Sequence, residues 1–382
     1  MAPESDVEIA VIGGGVVGCA VTLALARRGV PVALLEAEAE LALGASGTNS
    51  GILHTAFDSI PGDLETELIL ASVARRDRLL EALAIPVLRC GALMRPFDDS
   101  QRAAVAAVPA VARRNGVTVV ERDGGGLEIP AEAITDPVVY TLALAAEAER
   151  HGAVLRTRFR VESIKADGSG LRVGSASGAT VRCSVAINCA GLEADSIARL
   201  RGDESFSIYP RKGEFLVFDP PSGVELNQIL MPVHTKRTRG VLVFPTIDGK
   251  IVAGPTAVDL EDKRDWSVRP AAREEIVSKA AALYPPLAAA QPVFAYAGLR
   301  PAGRGINYLI GPAGTGSRLV NVAAVRSTGL SGSLGIAEHV TSIVGSLGVA
   351  LAPEAPLEGG PVPQPDRPWW RRTAEYRASV AP

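Results

Sequence analysis

The first 36 residues constrain this chain more than any other segment, because they set strand, glycine turn, helix, second strand and carboxylate in that order. Val7 to Ile12 is a short apolar run suited to a strand buried on both faces, and it stops at Gly13-Gly14-Gly15-Val16-Val17-Gly18. The helical pattern that follows ends with Arg27 and Arg28 in its last turn and Gly29 as its cap. In a unit of this kind Gly13 permits the tight turn and Gly15 lets the backbone approach a pyrophosphate. Gly18 lets helix and strand pack closely, and the phosphates sit at the positive helix N-terminus. A second strand, Pro31 to Leu35, delivers Glu36 and then Ala37. A carboxylate at that point accepts hydrogen bonds from a ribose diol and repels a 2'-phosphate. The pattern predicts a bound dinucleotide without choosing between NAD and FAD.

At 382 residues the chain has the length of roughly two domains at about 150 residues each. Although 47% of residues are hydrophobic, Gly, Pro or a charge interrupts every apolar run before the ~20 residues of a membrane span. The polar, acidic stretch Met1 to Asp6 has no basic region of a signal peptide, so a cytoplasmic address is expected. The net charge of -3 and the lack of a long basic stretch argue against nucleic acid as a partner. Cys19, Cys90, Cys183 and Cys189 are scattered, which predicts neither a metal site nor a disulfide framework.

Past Glu36 the segment Gly44 to Leu53, GASGTNSGIL, is rich in small residues and hydroxyls, as backbone lying close against a flat ligand requires. His54, Thr55 and Ala56 follow. Strand-GGGVVG-helix-Glu followed by A-S-G-x-N-S-G-I-L-H-T resembles flavoproteins of the D-amino-acid-oxidase superfamily, among them L-2-hydroxyglutarate oxidases and FAD-linked glycerol-3-phosphate dehydrogenases. The resemblance implies FAD as cofactor, with Ala45, Ser46, Asn49, Ser50 and Gly51 beneath the ring and the ribityl diphosphate. Further matches come in the family's order. Asp136-Pro137 opens a helix, a strand-like run from Val154 to Ile164 follows, and in the family the backbone near Val161 meets the adenine. Val185 to Gly191 resembles the second diphosphate-side motif and implies contacts from Ala190 and Gly191. Near the end, a strand at Leu319 to Ala323 precedes Gly329-Leu330-Ser331-Gly332-Ser333, which would aim a helix N-terminus at the flavin, where its partial charge stabilises the anionic reduced form.

This spacing puts dinucleotide-binding pieces at the start, middle and end. The expected fold is α/β (α+β): a Rossmann-type FAD-binding domain from 1–82, 137–204 and 298–350, with a mixed or antiparallel β-sheet substrate domain inserted discontinuously as 83–136 and 205–297. Alternating runs GEFLVFD, GVLVFPT and KIVAGPT support such a sheet. Residues 351–382, rich in Pro and Gly before Trp369-Trp370-Arg371-Arg372, read as a loosely held tail that docks on the body or on a partner.

Oxidation over a flavin needs a group that fixes the substrate and a route for a proton. The motif Gly298-Leu299-Arg300-Pro301 resembles the one whose arginine grips the substrate carboxylate in D-amino-acid and glycine oxidases, and a guanidinium suits that role. His54 is placed to accept a hydroxyl proton or to meet the flavin. His234, beside Lys236 and Arg237, is a second candidate for receiving an anion; His151 and His339 are expected on helix surfaces. Two positions depart from the resemblance: Ala56 stands where relatives usually have Gly, and Arg304 replaces an acidic turn and would add positive charge near the mouth. The leading expectation is an FAD-dependent dehydrogenase or oxidase acting on a small anionic hydroxy compound, either a 2-hydroxy acid or glycerol 3-phosphate. Oxidation of an amine or amino acid, a non-catalytic FAD-binding subunit of a larger complex and an NAD-dependent dehydrogenase are the competing readings. The electron acceptor (oxygen, a quinone or an electron-transfer protein), covalent flavin attachment and peripheral membrane contact stay open.

Overall fold

The computed structural model describes residues 4–233 and 240–380. Its organising element is a six-stranded sheet whose strands run, in spatial order, Val154–Arg156, Val32–Leu35, Ile9–Ile12, Val185–Asn188, Leu319–Ala323 and Leu309–Pro312. The first five are parallel and Leu309–Pro312 returns antiparallel at the edge. Ile9–Ile12 lies at the centre because all four of its residues are apolar and buried, so both faces can be covered. Val16–Ala26, Pro137–Arg150 and Gly329–Ser346 cover one face, packing with Ile9 and Val11. The antiparallel strands Val161–Asp167, Gly170–Ser175 and Thr180–Cys183 cover the other, packing with Ala10 and Ile12.

A nine-stranded sheet forms the second layer, and both insertions build it. Ala92–Met94, Val120–Arg122 and Gly126–Ile129 come from the first; Ile208–Phe218, Ile229–Met231, Leu242–Pro245 and Ile251–Gly254 come from the second. The seam between them is the parallel pair Ile229–Met231 with Ala92–Met94, whereas the other pairings described in this sheet are antiparallel. The ten-residue strand Phe294–Gly303 pairs along Ile208–Phe218 and carries Arg300 opposite Arg211. Parallel and antiparallel sheets with covering helices make this a mixed α/β fold.

Two expectations are corrected. The run Val154 to Ile164 is two strands in different sheets, Val154–Arg156 beside Val32–Leu35 and Val161–Asp167 in an antiparallel sheet with Gly170–Ser175. The chain turns between them at Arg158, whose φ is 55°, and a non-glycine turn of that kind leaves little mark on a hydrophobic pattern. Nor is the tail loosely held over its length: it ends in the helix Trp369–Ser379, with Trp369 2% and Trp370 6% exposed. Those two rings pack with Phe294 and Tyr296 of the large sheet. No helix among the described residues is long and apolar enough to cross a membrane.

Candidate active site

The glycine turn opens a cleft of about 880 Å³ between the two sheets, within the size range of a cofactor site. Gly13 leaves the central strand with φ 111°, and a Cβ there would overlap the Cys189 carbonyl oxygen, so only glycine fits the turn. Gly13, Gly14, Gly15, Val16 and Val17 line the cleft. Glu36 ends the second strand and accepts hydrogen bonds from Gly14 N–H (2.6 Å) and Glu38 N–H (2.8 Å). Burial pushes its carboxyl above the usual range, although those two N–H donors pull the other way. Ser46 Oγ accepts the Val16 N–H at 2.9 Å, tying the small-residue loop to the start of the helix Val16–Ala26.

The predicted residues do not all reach the cleft. Glu36, Ala37, Ala45, Ser46, Asn49, Ser50, Val161, Ala190, Gly191, Gly329 and Leu330 line it together with His54 and Arg300. Gly18, Gly51, Ser331, Gly332 and Ser333 are not on its wall. Gly18 lies beneath the turn, where a Cβ would overlap the Gly13 carbonyl oxygen, and Gly51 closes onto Asn49 Oδ1 (2.6 Å). Ser331 Oγ accepts the His54 N–H (2.8 Å) and donates to the Ile52 carbonyl (3.2 Å), so it positions the histidine strand. Gly332 faces Tyr308, and Ser333 Oγ donates to the Leu330 carbonyl at 3.0 Å inside the helix. Arg304 is also corrected: it is paired with Glu261 (2.7 Å to Oε2) and is not on the cleft wall. His151 is half-buried against Glu147 rather than free on the surface. His234, Lys236 and Arg237 lie outside the described residues.

At the other end of the cleft, His54 Nδ1 lies 2.9 Å from Glu132 Oε2. The Glu132 carboxylate is fully buried, and its other oxygen accepts from Thr55 N–H (2.7 Å) and Thr55 Oγ–H (2.9 Å). An acceptor-only carboxylate assigns the proton to Nδ1, which leaves the Nε2 lone pair as the free base of the ring. Arg76 closes the cluster by donating to the His54 carbonyl at 3.1 Å. Burial lowers its guanidinium, with Glu132 opposing that shift.

Arg300 is held differently. Nε donates to the Arg211 carbonyl (3.0 Å), and Nη2 donates to the carbonyls of Lys212 (3.1 Å) and Thr256 (2.8 Å). Among the described residues no hydrogen bond is made by Nη1 and no carboxylate pairs with this guanidinium. Burial, reinforced by Arg211, therefore pulls it down to about 10. Arg211 Nε lies 2.9 Å from Asp259 Oδ1, an ion pair whose angle is too bent for a hydrogen bond.

Glu132 escaped the sequence reading, and its one signal is a lone carboxylate inside the apolar stretch Ile129 to Ile134. Glu38, Trp266 and Arg377 also line the cleft unpredicted. The four cysteines are free thiols, burial raising Cys90 to about 11 and Cys183 and Cys189 to about 12, which keeps them unreactive. No group of ligands suited to a metal occurs among the described residues.

FAD fits this cleft on the cleft's own chemistry. The glycine turn bares backbone where a diphosphate must approach, and Glu36 offers acceptors to a ribose. The helices Val16–Ala26 and Gly329–Ser346 both begin on the groove wall, which puts their positive dipole ends at the groove.

Comparison with known proteins agrees. Residues 8–343 match the family described as FAD dependent oxidoreductase (DAO). A glycerol 3-phosphate dehydrogenase of Caloramator mitchellensis is 29% identical over 353 residues, covering 88% of this chain and 73% of its own. A mitochondrial L-2-hydroxyglutarate dehydrogenase of Caenorhabditis briggsae is 29% identical over 285 residues, covering 67% of this chain and 66% of its own. The dithionite-reduced, FAD-bound L-alpha-glycerophosphate oxidase of Mycoplasma pneumoniae superposes with a TM-score of 0.86 at 23% identity, over 94% of this chain and 98% of that one. This chain therefore belongs to the FAD dependent oxidoreductase (DAO) family and is an FAD-dependent enzyme.

Proposed function

We propose that the enzyme oxidises the carbinol carbon of a small anionic hydroxy compound, a 2-hydroxy acid or a polyol phosphate of the glycerol 3-phosphate type. One observation carries the reading: Arg300 is a part-buried cation on the cleft wall that, among the described residues, has no carboxylate partner and no hydrogen bond from Nη1. A buried guanidinium without a counter-ion is costly, and a substrate carboxylate or phosphate removes that cost. The names of the two relatives point to substrates of the same chemistry.

FAD supplies, when bound, the acceptor of a hydride. The chain's own residues do the rest. Arg300 Nη1 offers two N–H donors to the anionic group. Its other donors are held by three carbonyls, so the anion meets a guanidinium of set orientation. His54 Nε2 accepts the hydroxyl proton as the C–H hydride departs, which leaves a carbonyl group on the product. Glu132 balances the imidazolium that results and holds the ring in place. His54 and Arg300 are thus read as catalytic, Glu132 as a positioning residue. Gly13 to Val17, Glu36, Ser46, Ala190 and Gly329 are read as the cofactor wall. Residues 1–82, 137–204 and 298–350 are read as the FAD-binding domain, 83–136 and 205–297 as the substrate domain. We read the enzyme as cytoplasmic, with at most peripheral contact with a membrane.

Steady-state turnover with an artificial dye acceptor tests the proposal on hydroxy acids, polyol phosphates, amino acids and secondary amines. Turnover of a hydroxy anion, with uncharged glycerol far poorer, is expected. Faster turnover of an amine would replace this reading by amine oxidation, and none with any panel would favour the non-catalytic subunit. The physiological acceptor then follows from substituting oxygen, a quinone or an electron-transfer protein for the dye.

A further inference from the structure

The C-terminal helix Trp369–Ser379 has no part in the chemistry above, yet it grips one particular stretch of the chain. Residues 38–43, which run from the end of the second strand into the small-residue loop, form no strand or helix of their own. Four side chains of one helix hold that stretch. Arg372 donates to Glu40 Oε2 (2.6 Å) and the Leu41 carbonyl (3.1 Å), and Thr373 donates to the Ala42 carbonyl (3.3 Å). Tyr376 donates to Glu38 Oε2 (2.7 Å). Arg377 donates to Glu38 Oε1 (3.0 Å) and, through Nε and Nη2, to the Leu43 carbonyl (3.0 and 2.7 Å). The next turn, Ala45–Thr48, lies so close that a side chain at Gly47 would collide with Thr373.

The grip reaches the cleft itself. Arg377 lines it along with Glu36 and Glu38, and its guanidinium sits 5.0 Å from the centre of the Trp266 ring, which lines it from the other sheet's side. Trp266 is anchored in turn: the preceding Asp265 accepts from Lys212 (2.7 Å), and Lys263 donates to Asp195 (2.7 Å). The groove wall that carries Glu36, the C-terminal helix and the Trp266 loop therefore meet at one side chain.

We propose that this helix is a cofactor latch: Arg377, stacked on Trp266 and bonded to Glu38 and Leu43, closes the adenosine half of the groove and sets how fast FAD leaves. The proposal rests on Glu36 marking the adenosine ribose. It gives the Trp-Trp-Arg-Arg segment a purpose: Trp369 and Trp370 bury the helix root, and the residues one to two turns on reach the groove.

The test measures FAD release from purified holoenzyme on dilution, by recovery of free-flavin fluorescence, and the thermal midpoint of the apoprotein. Arg377→Ala, alone and with Tyr376→Phe, should speed release by about tenfold or more, an effect of about 1.4 kcal/mol, while the apoprotein midpoint stays put. Release within about twofold of the parent overturns the latch. Faster release matched by an equal loss of apoprotein stability overturns it too, because the helix would then only support the fold. Glu36→Ala is the control: if it weakens FAD retention and Arg377→Ala does not, the latch alone fails, whereas no effect from either removes the ribose assignment beneath it.

Discussion

His54 Nδ1 and Glu132 Oε2 stand 2.9 Å apart across 78 residues of sequence, the carboxylate fully buried and the imidazole edge on the cleft. The strand ending at Leu53 pairs with Ala133–Thr135, so the register Leu53 to Ala133 delivers both groups to one place. The pair gives the ring one free nitrogen and a fixed counter-charge.

Glu132→Gln should therefore lower kcat by about 10²-fold, within the range of a general base's contribution, with KM and FAD content close to the parent. Glu132→Asp should restore part of the loss. Steady-state kinetics with flavin absorbance check this, and a change confined to KM would refute the positioning role.

Arg300→Ala should raise KM for the anionic substrate by about 10²-fold, as expected for a charged hydrogen bond of about 2–3 kcal/mol. Arg300→Lys should behave almost as badly, because an ammonium cannot meet three carbonyls and an anion in the same geometry. The guanidinium is held down to about 10 by burial. Anion binding favours its protonated form, so KM should climb as pH rises through that value and not below it. A flat KM from neutral to strongly alkaline pH contradicts the assignment.

The buried Glu36 carboxyl is raised above its ordinary value. A raised carboxyl stabilises the folded apoprotein fully below the unfolded value, and that contribution is lost as pH rises through the folded one. FAD binding has the opposite sign, because the ribose diol favours the ionised acceptor: affinity should fall as pH drops below the raised value. Titrating apoprotein with FAD across mildly acidic pH checks this, and Glu36→Gln should remove the dependence.

Gly15→Val should abolish FAD retention, since a branched side chain would stand where the diphosphate approaches. Yellow colour surviving purification of that variant would contradict the groove assignment.

Ala56 is a buried alanine at φ 63°, a conformation costing an L-residue roughly 1–2 kcal/mol. Glycine there relieves that strain but adds roughly 0.5–1 kcal/mol of unfolded-chain entropy. Ala56→Gly should thus change stability by between zero and about 1.5 kcal/mol in the stabilising direction, read by denaturant unfolding.

What could be read ahead of the structure was local. Strand, turn, helix and Glu36 lie within 36 consecutive residues, and Arg300 sits in a four-residue motif. Glu132 could not be read that way, because its meaning comes from a strand pairing made far along the chain. Ser331 looked like a flavin contact, but it faces the histidine strand, a direction that helix spacing alone does not reveal. The Pro- and Gly-rich approach to the C-terminus suggested looseness, yet two buried tryptophans outweigh it through the apolar area they remove from water.

Anaerobic mixing of the FAD-loaded enzyme with single substrates, followed by flavin absorbance near its visible maximum, tests the central claim most directly. The account predicts rapid bleaching by a 2-hydroxy acid or a polyol phosphate, slowed by about 10²-fold or more in His54→Ala. Bleaching by an amine while every hydroxy anion leaves the colour unchanged, or equal rates with and without His54, would contradict it.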